Sequence, residues 1–316
     1  IASLLHQSPY LKEGAKLLCP VRHGEILRVF MGEKWVNQHT IFHPDSISQE
    51  IRDRFVMPKW RFLKLELFRY YRVPVEKSAF ISPLPCDYLH LIELWALNKL
   101  QIYEMIALTL GIRICDARPR LPLHYSEKDR LAVSKIIDRL KQDTPNTLYN
   151  PVNHSAKSHG TNQLKYIASK LHEKGVDTWF NISQANKDLS DTCNSLGNCI
   201  ETPAHLMPLV QSKFNSVSGI IGGALSVAQS FSKCNSCTFV TDHIHHNLIS
   251  DVAKIDTFKN GIGWTFFPSS VKAEIDYKSL KLKQNIAIDG RNELFVSNIE
   301  KYISTIYSLS TTRSLE

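Results

Sequence analysis

The sequence predicts an α/β protein organised around a parallel sheet, and three observations carry that prediction. From about residue 146 onward, short runs rich in β-branched and aromatic residues alternate with stretches of helical apolar spacing. Gly or Pro stands at several points where a helix should start or stop. Finally, 316 residues that are 43% hydrophobic and 22% charged suffice for two globular domains, each with its own core.

The second half has the clearer rhythm. "NTLYNPV" reads as a buried strand. "TNQLKYIASKLHEKG" then places Leu164, Ile167, Ala168 and Leu171 at i, i+3, i+4 and i+7, one apolar stripe, with Gly175 positioned to end the helix. "VDTWFNI" (176–182) is the next strand, followed by "SQANKDLSDTCNSLGN", read as a polar loop, and a short strand around Cys199–Ile200. A helix is expected to start near Pro203, because a proline in the first turn loses no N–H that would have been bonded. "FNSVSGII", "GGALSVAQSFSK" and "CTFVTD" give strand, helix and strand, and "NELFVSNIEKYISTIYSL" (292–309) closes as a helix with Leu294, Ile299, Tyr302, Ile303 and Ile306 on one side. Strands joined by crossover helices in this order make a parallel sheet.

The first half is less regular. "KLLCPVRHGEILRVF" reads as a strand, a polar turn, and a helix or second strand; "SAFISPLP" is a strand, and 87–112 is a long apolar helical region. Composition changes at "RICDARPRLPLHYSEKDR", with two prolines, four arginines and no apolar period. This places the junction at about 116–145, giving a first domain 1–118, an interdomain helix 119–145 and a second domain 146–316.

Composition narrows the function classes. No run reaches the roughly 18 apolar residues of a membrane span, and no basic n-region precedes the apolar residues of "IASLLHQSPY", so a cytoplasmic setting is expected. Seven scattered cysteines do not suggest a disulfide framework, and Cys234-Asn-Ser-Cys237 lacks the second pair a zinc site needs. The net charge of +8 suits an anionic small substrate, a membrane face or nucleic acid. Nucleic acid ranks low, since no dense basic block or aromatic-interleaved stripe appears. Residues 52–73, basic and aromatic, are either a peripheral contact with the inner face of a membrane or an exposed helix with snorkelling cations.

In open parallel sheets ligands bind beyond the carboxyl ends of the strands, so the loops at 150–160, 183–197, 201–203, 219–223 and 242–247 matter most. "NPVNHSAKSHG" (150–160) runs from strand to helix and offers Asn153, His154, Ser155, Lys157 and Ser158. Such a turn is either an ordinary capped loop or an anion site, where free N–H groups and the helix dipole meet a phosphate. Gly222 and Gly223 stand at another strand-to-helix turn, for close ligand approach or for tight packing. His243, His245 and His246 lack helical spacing and would need a further ligand, such as Asp242 or another carboxylate, to hold a metal. In the first half His23, Glu25 and Asp87 are candidate bases, Asp87 being equally suited to cap the helix it opens.

These features together resemble the heptosyltransferase-like GT-B glycosyltransferases that build bacterial surface polysaccharide. The motifs are "RPRLPLHYSEKDR" followed by "LYNPVNHSAKS", then "LKYIASKLHEKGVDTWFNIS", then "ETPAHLMPLVQSKFNSVSGIIGGALSVAQS". The likeness spans 118–242, with "RHGEILRVF" standing faintly for the group's glycine-rich "GDIL" turn in the first half. It departs from the group in having one glycine there and no polar residue after Gly222-Gly223. The resemblance implies two Rossmann-like domains with a cleft between them and a C-terminal helix. It implies a nucleotide-sugar donor on the second domain, touched by Asn153, His154, Ser155, Lys157, Ser158, Glu201, Thr202, Gly222 and Gly223. The acceptor would be a glycan or glycolipid hydroxyl of lipopolysaccharide or capsule, deprotonated by Glu25, Asp87 or His23. No metal or other cofactor is expected. A sugar-nucleotide epimerase of similar architecture and a non-catalytic nucleotide- or glycan-binding module are the alternatives.

Overall fold

In the computed structural model two parallel strands, β1 (Leu17–Pro20) and β2 (Thr40–His43), organise the start of the chain, in register from Leu17 opposite Thr40 to Pro20 opposite His43. The structure describes residues 2–47, 102–113, 123–141, 143–152, 159–183, 185, 187–220, 234–240, 285–289 and 294–312. These fall into two compact units that meet in sequence at Tyr125 and Ser126.

In the first unit the connection from β1 to β2 is a 3-10 turn, Val21–His23, and two helices, Gly24–Met31 and Glu33–His39. "GEILRVF" therefore resolves as helix, burying Leu27, Phe30 and Met31 on one face, and the second strand lies beyond it. Gly32 separates the helices at φ 82°, a left-handed conformation that suits glycine, and the His124 ring lies 3.4 Å from where a Cβ would stand. Helix Ile102–Thr109 is the described part of the long apolar region. The strand expected at "SAFISPLP" and the basic segment 52–73 lie outside the described residues.

The second unit opens with helix Glu127–Ile136, started by a reciprocal cap: Asp129 N–H donates to Ser126 Oγ at 3.2 Å and Ser126 N–H to Asp129 Oδ2 at 2.8 Å. Then come β3 (Asn146–Asn150), helix Thr161–Glu173, β4 (Asp177–Asn181), helix Lys187–Leu196 and β5 (Asn198–Ile200). Helix Met207–Gln211, β6 (Ser216–Ile220), β7 (Asn235–Val240), β8 (Asn285–Asp289) and helix Leu294–Thr311 complete it. All six strands are parallel and lie in the order β5-β4-β3-β6-β7-β8. Chain progression runs outward from β3 on one side and from β6 on the other. The strand order therefore reverses between β3 and β6, the switch point at which open sheets leave room for a ligand.

The apolar stripe predicted for Thr161–Glu173 is the buried one: Leu164, Ile167, Ala168 and Leu171 are all at most 5% exposed, and Gly175 follows at φ 77°. They join Tyr149, Phe180 and Phe239 of the sheet and Ile299, Tyr302, Ile303 and Ile306 of the last helix in one core. Two expectations are corrected. Residues 187–196 form a helix, not a loop, held by Cys193 with Leu189 and Leu196 beside it at i−4 and i+3. Pro203 precedes a turn instead of opening a helix, which begins at Met207 with Pro208 in its first turn. No helix among the described residues is long and apolar enough to cross a membrane.

Candidate functional site

The carboxyl end of the second unit's sheet carries a connected set of uncharged polar side chains. Asn150 ends β3 and Asn181 ends β4, one step past the paired Tyr149 and Phe180, so register alone sets them side by side. Asn181 Nδ2 donates to Asn150 Oδ1 at 2.9 Å, and Asn150 Nδ2 donates to the carbonyl of Ser218 at 3.4 Å. Asn181 Oδ1 accepts from Ser183 N–H at 3.3 Å and lies 2.6 Å from Ser183 Oγ. Ser183 Oγ in turn accepts from Thr202 N–H at 2.6 Å and reaches the Thr202 carbonyl at 3.1 Å. One chain of bonds thus joins β6, β3, β4 and the segment after β5. Each amide orientation is fixed by its neighbour's donor.

Both asparagines are buried, and buried amides are tolerated because they are bonded. Thr202, a predicted donor contact, belongs to this set and is 2% exposed, while its Oγ1 finds no partner among the described residues. Glu201 beside it is exposed. Asn153, His154, Ser155, Lys157, Ser158, Gly222 and Gly223 lie outside the described residues, although β3 and β6 lead directly into their two segments.

The switch point itself is close-packed. Gly219 of β6 faces Asn150 with φ 138°, and its N–H donates to Tyr302 Oη of the last helix at 2.8 Å. Tyr302 Oη stands 3.5 Å from Tyr149 Oη, and burial pushes both phenols up, so they remain neutral. Cys237 is likewise pushed up by burial, and neither it nor Cys234 is in a disulfide. Among the described residues no group of three His, Cys, Asp or Glu side chains is placed to hold a metal ion. His243, His245 and His246 are outside the described residues.

Sequence reasoning missed His159. It precedes Gly160, whose N–H donates to Gln163 Oε1 at 3.0 Å as helix Thr161–Glu173 begins. Its ring lies 5.6 Å from Phe239 and 6.1 Å from Tyr149, centroid to centroid, over the same part of the sheet. Burial depresses its pKa to about 4, opposed by a hydrogen bond that the ring donates to the Gln163 side chain. Because the unfolded imidazole titrates at about 6.5, the unfolded chain binds more protons between pH 4 and 6.5. Stability is then present above pH 6.5 and lost as pH falls through 4, by about 3 kcal/mol in all. Urea unfolding at pH 7 and 4.5 is expected to show most of this loss, and His159→Phe to remove it. An unchanged pH dependence in that variant would reject the assignment.

At the corresponding ends of β1 and β2 in the first unit, Arg22, His23, His43 and Asp45 come together. Arg22 Nε is 3.6 Å from Asp45 Oδ1, both groups half exposed. His43 is buried at 3% exposure with Nδ1 2.9 Å from the Pro44 carbonyl. His23 is depressed by partial burial and by Arg22, against an upward pull from Asp45, with His43 lowering it further. Glu25, in the first turn of its helix, accepts from Arg28 Nε at 2.9 Å. Asp87 lies outside the described residues.

No protein-family model matches the chain, and no curated protein matches it. Among solved structures it is similar to the crystal structure of the glycosyl transferase family 9 from Veillonella parvula DSM 2008, with a TM-score of 0.47 and 11% identity over 92% of this chain and 89% of that one. A likeness of that depth does not reach the chemistry, which stands on the residues themselves.

Proposed function

We propose that the chain is a glycosyltransferase that takes its sugar from a nucleotide donor held at the carboxyl end of the six-stranded sheet. The observation that carries this reading is the reversal of strand order between β3 and β6, with the Asn150–Asn181–Ser183–Thr202 chain beside it. Thr202 Oγ1, buried and without a partner among the described residues, supplies a hydroxyl at that edge, and the set holds no acidic side chain to repel a diphosphate. The sequence motifs of 118–242, in their likeness to the heptosyltransferase-like enzymes, support the same reading.

In this scheme an acceptor hydroxyl oxygen bonds to the anomeric carbon as the bond from that carbon to the diphosphate oxygen breaks. The electron pair leaves with the diphosphate, and the acceptor's proton passes to a basic side chain of the protein. We assign the developing negative charge to Lys157 and Ser155, which lie in sequence between β3 and helix Thr161–Glu173. The acceptor class we assign is a glycan or glycolipid of bacterial surface polysaccharide, with peripheral contact at the inner membrane face and no metal requirement.

Calorimetric titration with a panel of nucleoside diphosphates and CMP is the direct test. One nucleotide is expected to bind, equally well with EDTA present. Lys157→Ala is expected to weaken it about 10- to 100-fold, the range of a charge-assisted hydrogen bond of about 1.5–3 kcal/mol. No binding by any nucleotide sinks the reading.

A further inference from the structure

Three imidazoles of the first unit meet at one corner, the Gly32 junction between helices Gly24–Met31 and Glu33–His39. Each arrives on a different stretch of chain. His39 ends the second of those helices, one turn after Trp35, and its ring lies 4.9 Å from the indole, centroid to centroid. His6 follows helix Ala2–Leu5, which packs on helix Gly24–Met31, and its ring stands 5.4 Å from the same indole. His124 lays its ring over Gly32, with Nε2 3.4 Å from the position a Cβ would take, and its backbone N–H donates to the Val29 carbonyl at 2.7 Å.

Two weakly anchored segments therefore depend on this corner. Helix Ala2–Leu5 is a single turn, too short to stand alone, and is seated by buried Leu4 and Leu5 and by His6. Residues 123–125 lie in neither helix nor strand, and Tyr125 is where the chain leaves the first unit for Ser126 of the second.

A proton changes the balance. Burial lowers the His6 pKa, a hydrogen bond with the Met31 backbone raises it, and the charges of His124 and His39 lower it further. No carboxylate is among the groups acting on His6. Helix Ala2–Leu5 carries no charged side chain, and helix Pro9–Lys12 carries Tyr10 and Lys12, both exposed. On helix Gly24–Met31 Glu25 is paired with Arg28 at 2.9 Å, and on helix Glu33–His39 Glu33 and Lys34 are exposed in the first turn. Lys16 donates to the Gln38 carbonyl beside His39, which adds a further positive charge, and 123–125 adds only His124 and the Tyr125 phenol. Trp35 attracts an imidazolium to its face, but each further charge in the same corner meets the repulsion of the first.

We propose that His6, His39 and His124 form an acid-sensitive latch: neutral, they hold helix Ala2–Leu5 and the connection 123–125 on the Gly32 corner, and as they take up protons they release both. The proposal does not rest on the transferase reading. Its sign follows from His6, whose pKa is lowered in the folded chain. The closed corner is favoured fully above the ordinary value of about 6.5, and that contribution is lost as pH falls toward the lowered one.

Backbone amide exchange of the full chain, expressed as protection factors, tests this. The His124 N–H reports the connection, and the Gln7 N–H, bonded to the Leu4 carbonyl at 2.9 Å, reports the N-terminal segment. Both should lose protection between pH 7 and 5.5, by up to about tenfold per pH unit for each proton gained on opening. The Asp177 N–H of the second unit, bonded to the Pro145 carbonyl at 2.8 Å, should not follow. A chain carrying both His6→Gln and His39→Gln should keep its protection across the range, because glutamine still forms hydrogen bonds and never charges.

Imidazole Cε1–H resonances give the second measurement. His6 should titrate below about 6.5, and His39→Gln and His124→Gln should each raise its midpoint by roughly 0.3–0.5 pH unit, the size of a water-screened repulsion between unit charges several ångströms apart. His124 is exposed, so its variant keeps the test open if the double variant does not fold. A His6 midpoint unmoved by either substitution overturns the latch. So does His124 protection that stays constant from pH 7 to 5.5, an equal loss at Asp177, or an acid loss in the double variant as large as in the wild type.

Discussion

Gly219→Ala is expected to destabilise the second unit by on the order of 3–5 kcal/mol. An alanine Cβ at this position would stand 2.2 Å from Asn150 O and 2.8 Å from Asn150 C and N. These are backbone atoms of a paired strand, so no side-chain rotation relieves the contact. Overpacking alone costs about 1–3 kcal/mol, and a non-glycine residue forced to φ near 138° adds about 1–3 more. Against a typical stability of about 5–15 kcal/mol the sum is a large fraction. For a unit of this size it corresponds to a fall in Tm on the order of 10 °C. The urea midpoint should fall in step with an unchanged slope, because the surface exposed on unfolding is the same. The damage lands on Asn150, so nucleotide binding should weaken as well. An alanine variant with wild-type Tm would mean that β3 and β6 do not approach as closely as described.

That contact was not legible in the sequence, and the reason is physical. Gly222 and Gly223 draw attention because a pair of glycines marks a turn, whereas Gly219 sits inside a strand and looks like a small packing residue. Only the pairing of residue 150 with residue 219, 69 positions apart, shows that it is required. The same holds for the polar chain. Asn150 and Asn181 each fall near the end of a predicted strand and carry no signal singly, until parallel register brings them within one hydrogen bond.

Local signals fared better where one stripe decides an element. Leu164, Ile167, Ala168 and Leu171 announced their helix because four apolar residues share one face and Gly175 ends it. Helix Lys187–Leu196 hid because it needs only Leu189, Cys193 and Leu196 toward the core, too few to set a period in a polar segment. Strand β2 hid because four residues, three of them half-buried, leave no alternation to read. Thr202 was singled out for the loop it occupies, and it is the network of Ser183 and Asn181 that gives that loop its chemistry.

The second large effect tests whether the polar chain is as tightly specified as its bonds imply. Asn181→Asp keeps size and shape but removes the Nδ2 donor that meets Asn150 Oδ1 at 2.9 Å. The oxygen facing Asn181 cannot turn away freely, since flipping Asn150 would sacrifice its donation to the Ser218 carbonyl. An ionised carboxylate there is buried, with an acceptor opposite it, and both conditions favour the protonated form. Its folded pKa is therefore raised above the unfolded value of about 3.9. The native state then holds a proton that the unfolded chain has released, so stability falls as pH rises through that window, by about 1.4 kcal/mol per pH unit.

Near pH 4.5 the acid can donate to Asn150 as the amide did, and the variant should approach the wild type. By pH 7 a deficit of about 3 kcal/mol is expected if burial raises the pKa by roughly two units. His159 changes stability in the opposite sense over the same range, so the quantity to compare is the difference between variant and wild type at each pH. A difference that does not vary from pH 4.5 to 7 would mean that the substituted group stays solvated, and that the Asn150–Asn181 bond is not the buried junction described. The ionised variant also places a negative charge at the edge assigned to the donor. Its loss of nucleotide affinity should therefore grow with pH alongside its loss of stability, whereas Gly219→Ala should lose affinity without that pH dependence.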